Sequence, residues 1–393
     1  MSAGESHGPA LAGIISGIPA GLKISIDLIN TQLSLRQDGA GRSQRQNIES
    51  DTVEILSGLR NGVTLGSPIA LVIENLDHIN WHDAMPVEES ENFSPRKYKA
   101  MPRPGHADLA GMLKWDTDDA RNVLERASGR STAITVALGS ICRQMLTNFG
   151  IYLGSRIIEY GPELLVDDGD SPKVPTRADF NDPALILALG TLTVEQMRKI
   201  EKVVSDARES GNTLGGVVQA VSVHIPPGLG SCMNPDERLD SRIAGAVMAI
   251  PGIKAVEIGA GMDQTYIGGK EAQDKFAIAS DPFTRPWYSR ETNFAGGIEG
   301  GITNGEPVCV KAWIKPLSTV DPPFASIDVN SKTPITPENT ERSDVAVIEP
   351  VAVVIKAVLA MEIARAFLEK FGGDTMDEVT YSFERYMSKL EKI

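Results

Sequence analysis

The sequence predicts an α+β fold rather than a doubly wound sheet, organised as one domain over residues 1–393. Strand-like segments come in groups separated by long loops, whereas doubly wound folds alternate strands and helices regularly. The chain has 393 residues, 41% of them hydrophobic, which is enough to bury one large core. Polar clusters near the start, near the end of the first quarter and near the end of the chain carry complementary chemistry. We therefore expect them to belong to the same domain.

Three helices are predicted from apolar residues that recur at helical spacing. The first lies within residues 129–150 and ends at a glycine, a common helix stop. The second lies within 193–211 and begins with Thr193 and Gln196, the spacing of a capping box. The third is an amphipathic helix within 350–372, closed by a pair of glycines.

Strands are predicted where apolar residues alternate or run together between turn signals. The clearest runs are residues 217–225, stopped by two prolines, and 308–314, stopped by Lys315-Pro316. The segment Asp167–Pro183 is rich in Asp and Pro, and we interpret it as a surface excursion within the domain rather than a linker. His224 is expected to be a packed or edge residue of its strand and not a ligand.

Composition and charge exclude several classes of protein. The chain carries 38 basic and 52 acidic residues, a formal charge of −14, which argues against non-specific binding to nucleic acid or anionic membranes. The sequence has no apolar run long enough to span a membrane, and its three cysteines form no C-x-x-C pair. We expect a cytoplasmic protein. His78 and His82 have the spacing of a metal pair but lack a third ligand, so no metal is predicted.

The first chemically informative motif is Gly4-Glu5-Ser6-His7-Gly8-Pro9. It places a hydroxyl, an imidazole and a carboxylate between glycines, which allow the backbone to approach a ligand closely. Because an imidazole titrates near neutral pH, this motif is suited to handling a proton or a phosphate.

Three arginines, Arg36, Arg42 and Arg45, lie in and beside a glycine-containing loop. Guanidinium groups pair with carboxylate or phosphate through two hydrogen bonds, so the loop could hold a substrate with several negative groups. Taken alone, the loop could equally be a solvated charged segment. The later basic clusters favour the anion site.

Two further clusters have both a functional and a structural interpretation. In Arg103–Asp108, a Pro-Gly turn presents His106 beside a guanidinium, either toward a bound anion or cofactor or simply in a hydrogen bond to Asp108. The segment Glu125–Thr132 precedes the first helix, where free N–H groups favour phosphate. Ser128 or Ser131 could also serve only as a helix cap.

Two clusters lie in the last quarter of the chain. The glycine-rich segment Gly296–Gly301 could let a flat ring lie against the backbone and leads into the strand that ends at Lys315–Thr319. It precedes a strand instead of opening a helix, so it is not a dinucleotide fingerprint. Glu341–Asp344 offers another anion clamp and a carboxylate able to relay a proton.

Together these motifs resemble those of the chorismate synthase family, in the same order and across nearly the whole chain. The motifs that carry the resemblance are Gly4–Pro9, Arg103–Asp108, Ser128–Arg130, Gly296–Gly301, Lys315–Thr319 and Glu341–Asp344. It implies a homotetramer of single-domain α+β subunits, each a sandwich of β-sheets and helices. The implied enzyme is a lyase that eliminates phosphate from 5-enolpyruvylshikimate 3-phosphate in an anti 1,4 fashion to give chorismate. Reduced FMN is required without net oxidation, and NADPH or an external flavin reductase serves only to reduce the flavin.

The resemblance also implies roles for individual residues. His7, assisted by Ser6, is the acid beside the departing phosphate, His106 balances the charge of the reduced flavin, and Asp344 lies near flavin N5. The implied substrate-binding residues are Arg36, Arg42, Arg45, Arg130 and Arg342. The implied flavin-binding residues are Arg103, His106, Ser128, Gly129, Arg130, Pro251, Gly252, Gly300, Lys315, Pro316, Leu317, Ser318, Thr319, Arg342 and Ser343. The chain departs from the family at Gly129, where many members have alanine, and at Gln46, often a methionine.

Two other classes of function remain open on the sequence. A flavin-dependent NADPH oxidoreductase could use the same basic pocket, although no nicotinamide fingerprint is present. A non-catalytic anion-binding scaffold would leave the histidine- and carboxylate-bearing clusters unexplained.

Overall fold

A computed structural model describes residues 1–42, 50–94, 99–166, 174–180, 182–278, 288–337 and 344–392. The helices are α1 (Ile26–Gln37), α2 (Asp108–Trp115), α3 (Arg121–Ala127), α4 (Thr132–Thr147), α5 (Pro183–Leu187), α6 (Val194–Glu209), α7 (Leu239–Met248), α8 (Ile348–Phe371) and α9 (Met376–Leu390). The strands up to residue 164 are β1 (Ser2–Ala3), β2 (Ala10–Ile15), β3 (Val53–Ile55), β4 (Leu59–Arg60), β5 (Val63–Thr64), β6 (Ile69–Glu74), β7 (Tyr152–Tyr160) and β8 (Glu163–Leu164). The later strands are β9 (Gly216–Val223), β10 (Ile253–Ile258), β11 (Phe276–Ile278), β12 (Tyr288–Arg290), β13 (Ile298–Glu299), β14 (Ile302–Thr303), β15 (Val308–Ile314), β16 (Ser326–Asp328) and β17 (Thr333–Ile335).

Two antiparallel sheets enclose a layer of helices. The first sheet has the order β1-β2-β6-β3 and the second the order β10-β15-β9-β7-β8. Helix α4 packs on β2 and β6 of the first sheet, α8 packs on β7 and β9 of the second, and the two helices pack on each other. One hydrophobic core includes residues of both sheets and of these helices. The α+β class and the sandwich of sheets and helices are therefore confirmed.

The predicted elements are present, with differences at their edges. The capping box of α6 forms as predicted, with reciprocal bonds between Thr193 and Gln196. Strand β15 has the predicted bounds, whereas β9 ends at Val223, and His224 follows it with a left-handed φ of 59°. Helix α8 begins two residues before Pro350 and is buried around most of its circumference rather than on one face, because it lies inside the sandwich. Among the described residues no helix is long and apolar enough to cross a bilayer.

The segment interpreted as a surface excursion is described only in part. Its described residues include Val174 and Phe180, which are buried against Val221 and Val223 of β9. The segment thus contributes apolar side chains to a second, smaller core on the second sheet.

The contact between α4 and α8 depends on a glycine, and this gives a testable prediction. A Cβ at Gly139 would lie 2.5 Å from the Ala357 carbonyl oxygen and 2.6 Å from its Cβ. We expect Gly139→Ala to lower the free energy of unfolding by about 1–3 kcal/mol, because the helices must separate. Chemical denaturation measures this effect.

The same substitution at Gly245 in α7 is the matched control. A Cβ there meets no atom within 4 Å, and the residue is exposed. We expect Gly245→Ala to raise the free energy of unfolding by about 0.5–1 kcal/mol, since alanine restricts the unfolded chain and favours helix. Equal effects at the two positions would contradict the close-contact argument.

Candidate active site

Connections between the elements line one cavity of about 730 Å³. The loop after β1 contributes Ser6 and His7, the turn before α2 contributes His106, and the segment before α8 contributes Asp344. The cationic lining residues are Arg36, Arg42, Arg103, Arg130, Lys254 and Lys315. Clusters that are far apart in the sequence thus meet in one place, with several positive groups around a single space.

The backbone around Ser6 and His7 is held by local geometry and by distant residues. Gly4 has a φ of 104°, and a Cβ there would lie 2.4 Å from the Ala10 carbonyl oxygen, so the turn requires glycine. Asn75 donates from Nδ2 to the carbonyl oxygens of Glu5 and Gly8, at 3.0 and 2.8 Å. The loop that presents His7 is therefore fixed on both sides.

Glu125 is the principal partner of His7. Its carboxylate accepts the His7 backbone N–H at 2.8 Å and lies 2.9 and 3.0 Å from His7 Nδ1. Arg121 donates to the same carboxylate at 3.1 Å. Burial alone would raise the pKa of Glu125, but the hydrogen bonds of His7 and Arg121 lower it. Glu125 is thus a carboxylate at neutral pH.

The His7 ring is also fixed by stacking. Its centroid lies 3.8 Å from that of Trp81, with an angle of 26° between the rings. His78 bonds through Nδ1 to the His7 carbonyl oxygen at 2.9 Å, which gives this histidine a structural role. Ser6 is buried, and its hydroxyl lies 3.1 Å from that of Ser128.

Two of the predicted anion-binding arginines share one buried carboxylate, Asp51. Asp51 Oδ1 accepts from Arg130 Nη1 at 2.5 Å, and Oδ2 accepts from Arg36 Nη1 at 3.4 Å. Arg36 also donates to Thr132 and to the Gly129 carbonyl oxygen. Burial lowers the pKa of Arg36 to about 10, so this guanidinium is still charged at neutral pH. Arg36 and Arg130 together bring two positive charges to the cavity, and Asp51 supplies one negative charge between them.

Arg42 and Asp344 form a second pair at the cavity wall. Arg42 Nη1 donates to Asp344 Oδ2 at 2.7 Å. The Arg42 Nε is buried and has no hydrogen-bond acceptor among the residues that the structure describes. An acceptor supplied by a bound anion would satisfy it.

His106, Arg103 and Asp108 form a compact network. Asp108 is fully buried and accepts hydrogen bonds from His106 Nδ1 and from Arg103, whose Nε lies at 2.8 Å. His106 makes the bond to Asp108 that the structural interpretation predicts, and it also lines the cavity, where the functional interpretation requires it to be. Burial alone would raise the pKa of Asp108, but hydrogen bonds from His106 and Arg103 hold it far below its ordinary value.

This network predicts how stability responds to acid. Folding lowers the pKa of the Asp108 carboxyl from 3.8, its value in the unfolded chain. The carboxylate therefore stabilises the folded protein at pH values above 3.8, and this stabilisation is lost as the pH falls toward the pKa of the folded state. We expect the unfolding equilibrium constant of the wild type to rise below pH 4 by up to about tenfold per pH unit for this group. Asp108→Asn should be less stable at pH 6 and show a shallower acid dependence. Parallel curves for variant and wild type would contradict the assignment.

Most of the residues expected to bind a flavin line the cavity. They are Arg103, His106, Ser128, Gly129, Arg130, Pro251, Gly252, Lys315, Pro316, Leu317, Ser318 and Thr319. Lys315 is oriented by its Nζ, which donates to the Gly105 carbonyl oxygen, and by its backbone N–H, which bonds to Gly252. A Cβ at Gly129 meets no atom within 4 Å, so the cavity accommodates either glycine or alanine there. Ser128 also caps the short turn after it through the Arg130 N–H.

Other expected residues lie elsewhere. Gly300 is in the turn of the β13–β14 hairpin, near Cys232, and is not among the residues that line the cavity. The predicted Arg45, Arg342 and Ser343, and also Gln46, lie outside the described residues.

Sequence reasoning missed several residues of the site. Asp51, Asp77 and Trp81 were not singled out, and Glu125 was only part of a cluster. Lys254 lines the cavity and was also missed. Asp51, Trp81 and Glu125 each contact a side chain that is distant in sequence, and such a contact produces no local pattern. For Lys254, the one local signal was its position among the apolar residues of β10.

Comparison with known proteins agrees with this geometry. Residues 1–368 match the family model described as chorismate synthase. The chain is 43% identical over 394 residues to the chorismate synthase of Desulforudis audaxviator, covering 99% of this chain and 97% of that protein. It is 42% identical over 398 residues to that of Geobacter metallireducens, covering 99% and 98%. A crystal structure of a chorismate synthase aligns with a TM-score of 0.76 and 34% identity over 100% of this chain and 98% of that chain. The chain belongs to the chorismate synthase family.

Proposed function

We propose that the cavity binds 5-enolpyruvylshikimate 3-phosphate together with reduced FMN and eliminates phosphate to give chorismate. As a member of its family the chain is a carbon–oxygen lyase of aromatic amino acid biosynthesis. The observation that carries the proposal is that His7, His106, Asp344 and the predicted arginines Arg36, Arg42 and Arg130 all line one cavity. The flavin-dependent NADPH oxidoreductase receives no support from the relatives.

The charge of the cavity suits this substrate. 5-Enolpyruvylshikimate 3-phosphate has two carboxylates and a phosphate, so it needs several cations close together. The chain is acidic as a whole, yet six cationic side chains line the cavity, and the carboxylates of Asp344, Asp51 and Asp108 pair with four of them. We assign Arg36, Arg42 and Arg130 to the substrate anions, with Arg45 and Arg342 proposed from the resemblance.

Several other residues that line the cavity suit a flavin. Backbone at Gly105 and Gly252 and apolar side chains of Ile250, Ile314 and Leu317 suit a flat ring, while Lys315 suits a phosphate. The volume lies within the range of about 300–1,000 Å³ that is common for ligand sites. When bound, reduced FMN supplies electron density transiently to the breaking C–O bond and regains it, so no net oxidation occurs.

The chain's own residues then have separate tasks. We assign His7 Nε2 as the group that donates a proton or hydrogen bond to the departing phosphate, where negative charge develops. His106, held by Asp108, balances negative charge on the flavin side of the cavity. Asp344, held by Arg42, accepts a proton at its carboxylate.

The test is an anaerobic assay with the purified protein, 5-enolpyruvylshikimate 3-phosphate and photoreduced FMN. We expect equal amounts of phosphate and chorismate, and no product with oxidised FMN or without flavin. Turnover without flavin would refute the flavin requirement, and sustained NADPH oxidation without phosphate release would favour the oxidoreductase. An absorbance titration of FMN should show tighter binding in the presence of the substrate if both share the cavity.

We further propose that the chain is a single domain that works as a cytoplasmic homotetramer. The resemblance to the family supports each of these assignments. An external reductase or NADPH serves only to reduce the flavin. Light scattering of the purified protein tests the tetramer.

A further inference from the structure

We propose that Glu125 is a positioning residue that fixes the proton of His7 on Nδ1 and so leaves Nε2 as the nitrogen that exchanges protons. The tautomer is a property of the protein alone. Its consequence for catalysis rests on the proposed function.

The contacts of Glu125 leave it only one role. Its carboxylate accepts from the His7 backbone N–H, from Arg121 and, at 2.9 Å, from His7 Nδ1. The residue is 2% exposed, and its lowered pKa keeps it deprotonated. A carboxylate has no proton to donate, so the nitrogen that faces it must carry one. In a neutral imidazole the other nitrogen then has a free lone pair.

The surroundings of Nε2 are open by comparison. The nearest acidic oxygen, Asp77 Oδ2, lies 4.0 Å away, beyond hydrogen-bond distance. Asp77 is itself engaged by Asn80 Nδ2 at 2.9 Å and Trp81 Nε1 at 3.2 Å. Within the described part of the chain no hydrogen bond is made to Nε2, and His7 lines the cavity. Nε2 is therefore the nitrogen that can take up a proton and, once protonated, donate it to a bound anion.

Contacts among Glu125, Arg121 and Trp81 fix the orientation of the His7 ring. Arg121 bonds to Glu125 and lies over the Trp81 ring, 4.7 Å from its centroid, while Trp81 stacks on His7. The charged or titratable groups that face His7 are Glu125 and Arg121 from α3, and Asp77 and His78 from the turn Leu76–Asn80. Among the residues that the structure describes, Glu125 alone forms a hydrogen bond with the His7 ring. Its removal should free the tautomer without removing the stack.

The test is the tautomer itself, read by nitrogen NMR of protein labelled with ¹⁵N-histidine. The spectrum of His7→Gln assigns the His7 signals. In the wild type at a pH where the ring is neutral, we expect the proton on Nδ1, although free histidine favours Nε2. In Glu125→Ala, which removes the acceptor, the Nδ1–H population should fall, whereas the amide oxygen of Glu125→Gln can still accept from Nδ1 and should retain more of it. A wild-type ring protonated on Nε2, or an unchanged tautomer in Glu125→Ala, would overturn the proposal.

Activity gives the second readout. We expect Glu125→Gln to lower kcat by about 10–100-fold with KM within about threefold, as for other partners that orient an acting histidine. Adding Glu125→Gln to His7→Gln should cost little more, because the two residues act as a unit. Glu201→Gln, on the exposed face of α6, is the matched control and should match the wild type. Absence of elimination by the wild type would refute the proposed function and leave the NMR result standing.

Discussion

His7→Ala should lower kcat for phosphate elimination by about a thousandfold, the largest effect that we expect on activity. A positioned general acid contributes about 10²–10⁴-fold, and His7 is the imidazole we assign to the leaving phosphate. The His7 ring contacts Glu125 and Trp81, which are not among the residues that we assign to the substrate anions. Loss of the His7 ring should therefore leave the anion-binding residues in place. KM and the affinity for FMN should therefore change much less than kcat. Single-turnover measurement of phosphate release with reduced FMN separates these quantities.

His82→Ala is the matched control for this experiment. His82 is exposed and lies near His78, yet it does not line the cavity. We expect its kcat to equal that of the wild type. Full activity of His7→Ala would contradict the assignment of His7 as the acid beside the departing phosphate.

Asp51→Ala should lower the free energy of unfolding by about 3–5 kcal/mol, the largest effect that we expect on stability. The substitution leaves the guanidinium groups of Arg36 and Arg130 buried without their shared carboxylate. Removing one partner of a buried ion pair is costly because the remaining charge is not solvated. Thermal or chemical denaturation in a buffer without phosphate measures the loss.

Inorganic phosphate distinguishes this explanation from a simple packing defect. An anion that binds between the two arginines can replace the lost charge, so phosphate should stabilise Asp51→Ala more than the wild type. Asp206→Ala, on an exposed part of α6, controls for the loss of a carboxylate and should be nearly as stable as the wild type. Equal stabilisation of Asp51→Ala and the wild type by phosphate would contradict the argument.

The elements that were predictable from sequence are those with a local signal. The capping box of α6 and the bounds of β15 depend on residues a few positions apart, so the sequence pattern alone predicted them. The position of α8 inside the sandwich could not be predicted from sequence. Whether a helix is buried on one face or on most of its surface depends on the elements that pack around it. The glycines of 296–301 illustrate the same limit. The sequence suggested a place for a flat ring there, and it gave no sign of the close backbone contacts that Gly296 and Gly297 make with Gly259 and Pro307.

By itself the sequence predicted the α+β class, the family and a set of histidines and arginines suited to the chemistry, because residue types in short motifs report chemical capacity directly. Only the tertiary structure decided which groups control them. Asp51 between Arg36 and Arg130, and Glu125 against His7, are contacts between residues 15 to 118 positions apart. Chain folding creates such contacts, and the strength of each depends on burial and distance. Neither quantity is encoded in any local pattern of the sequence.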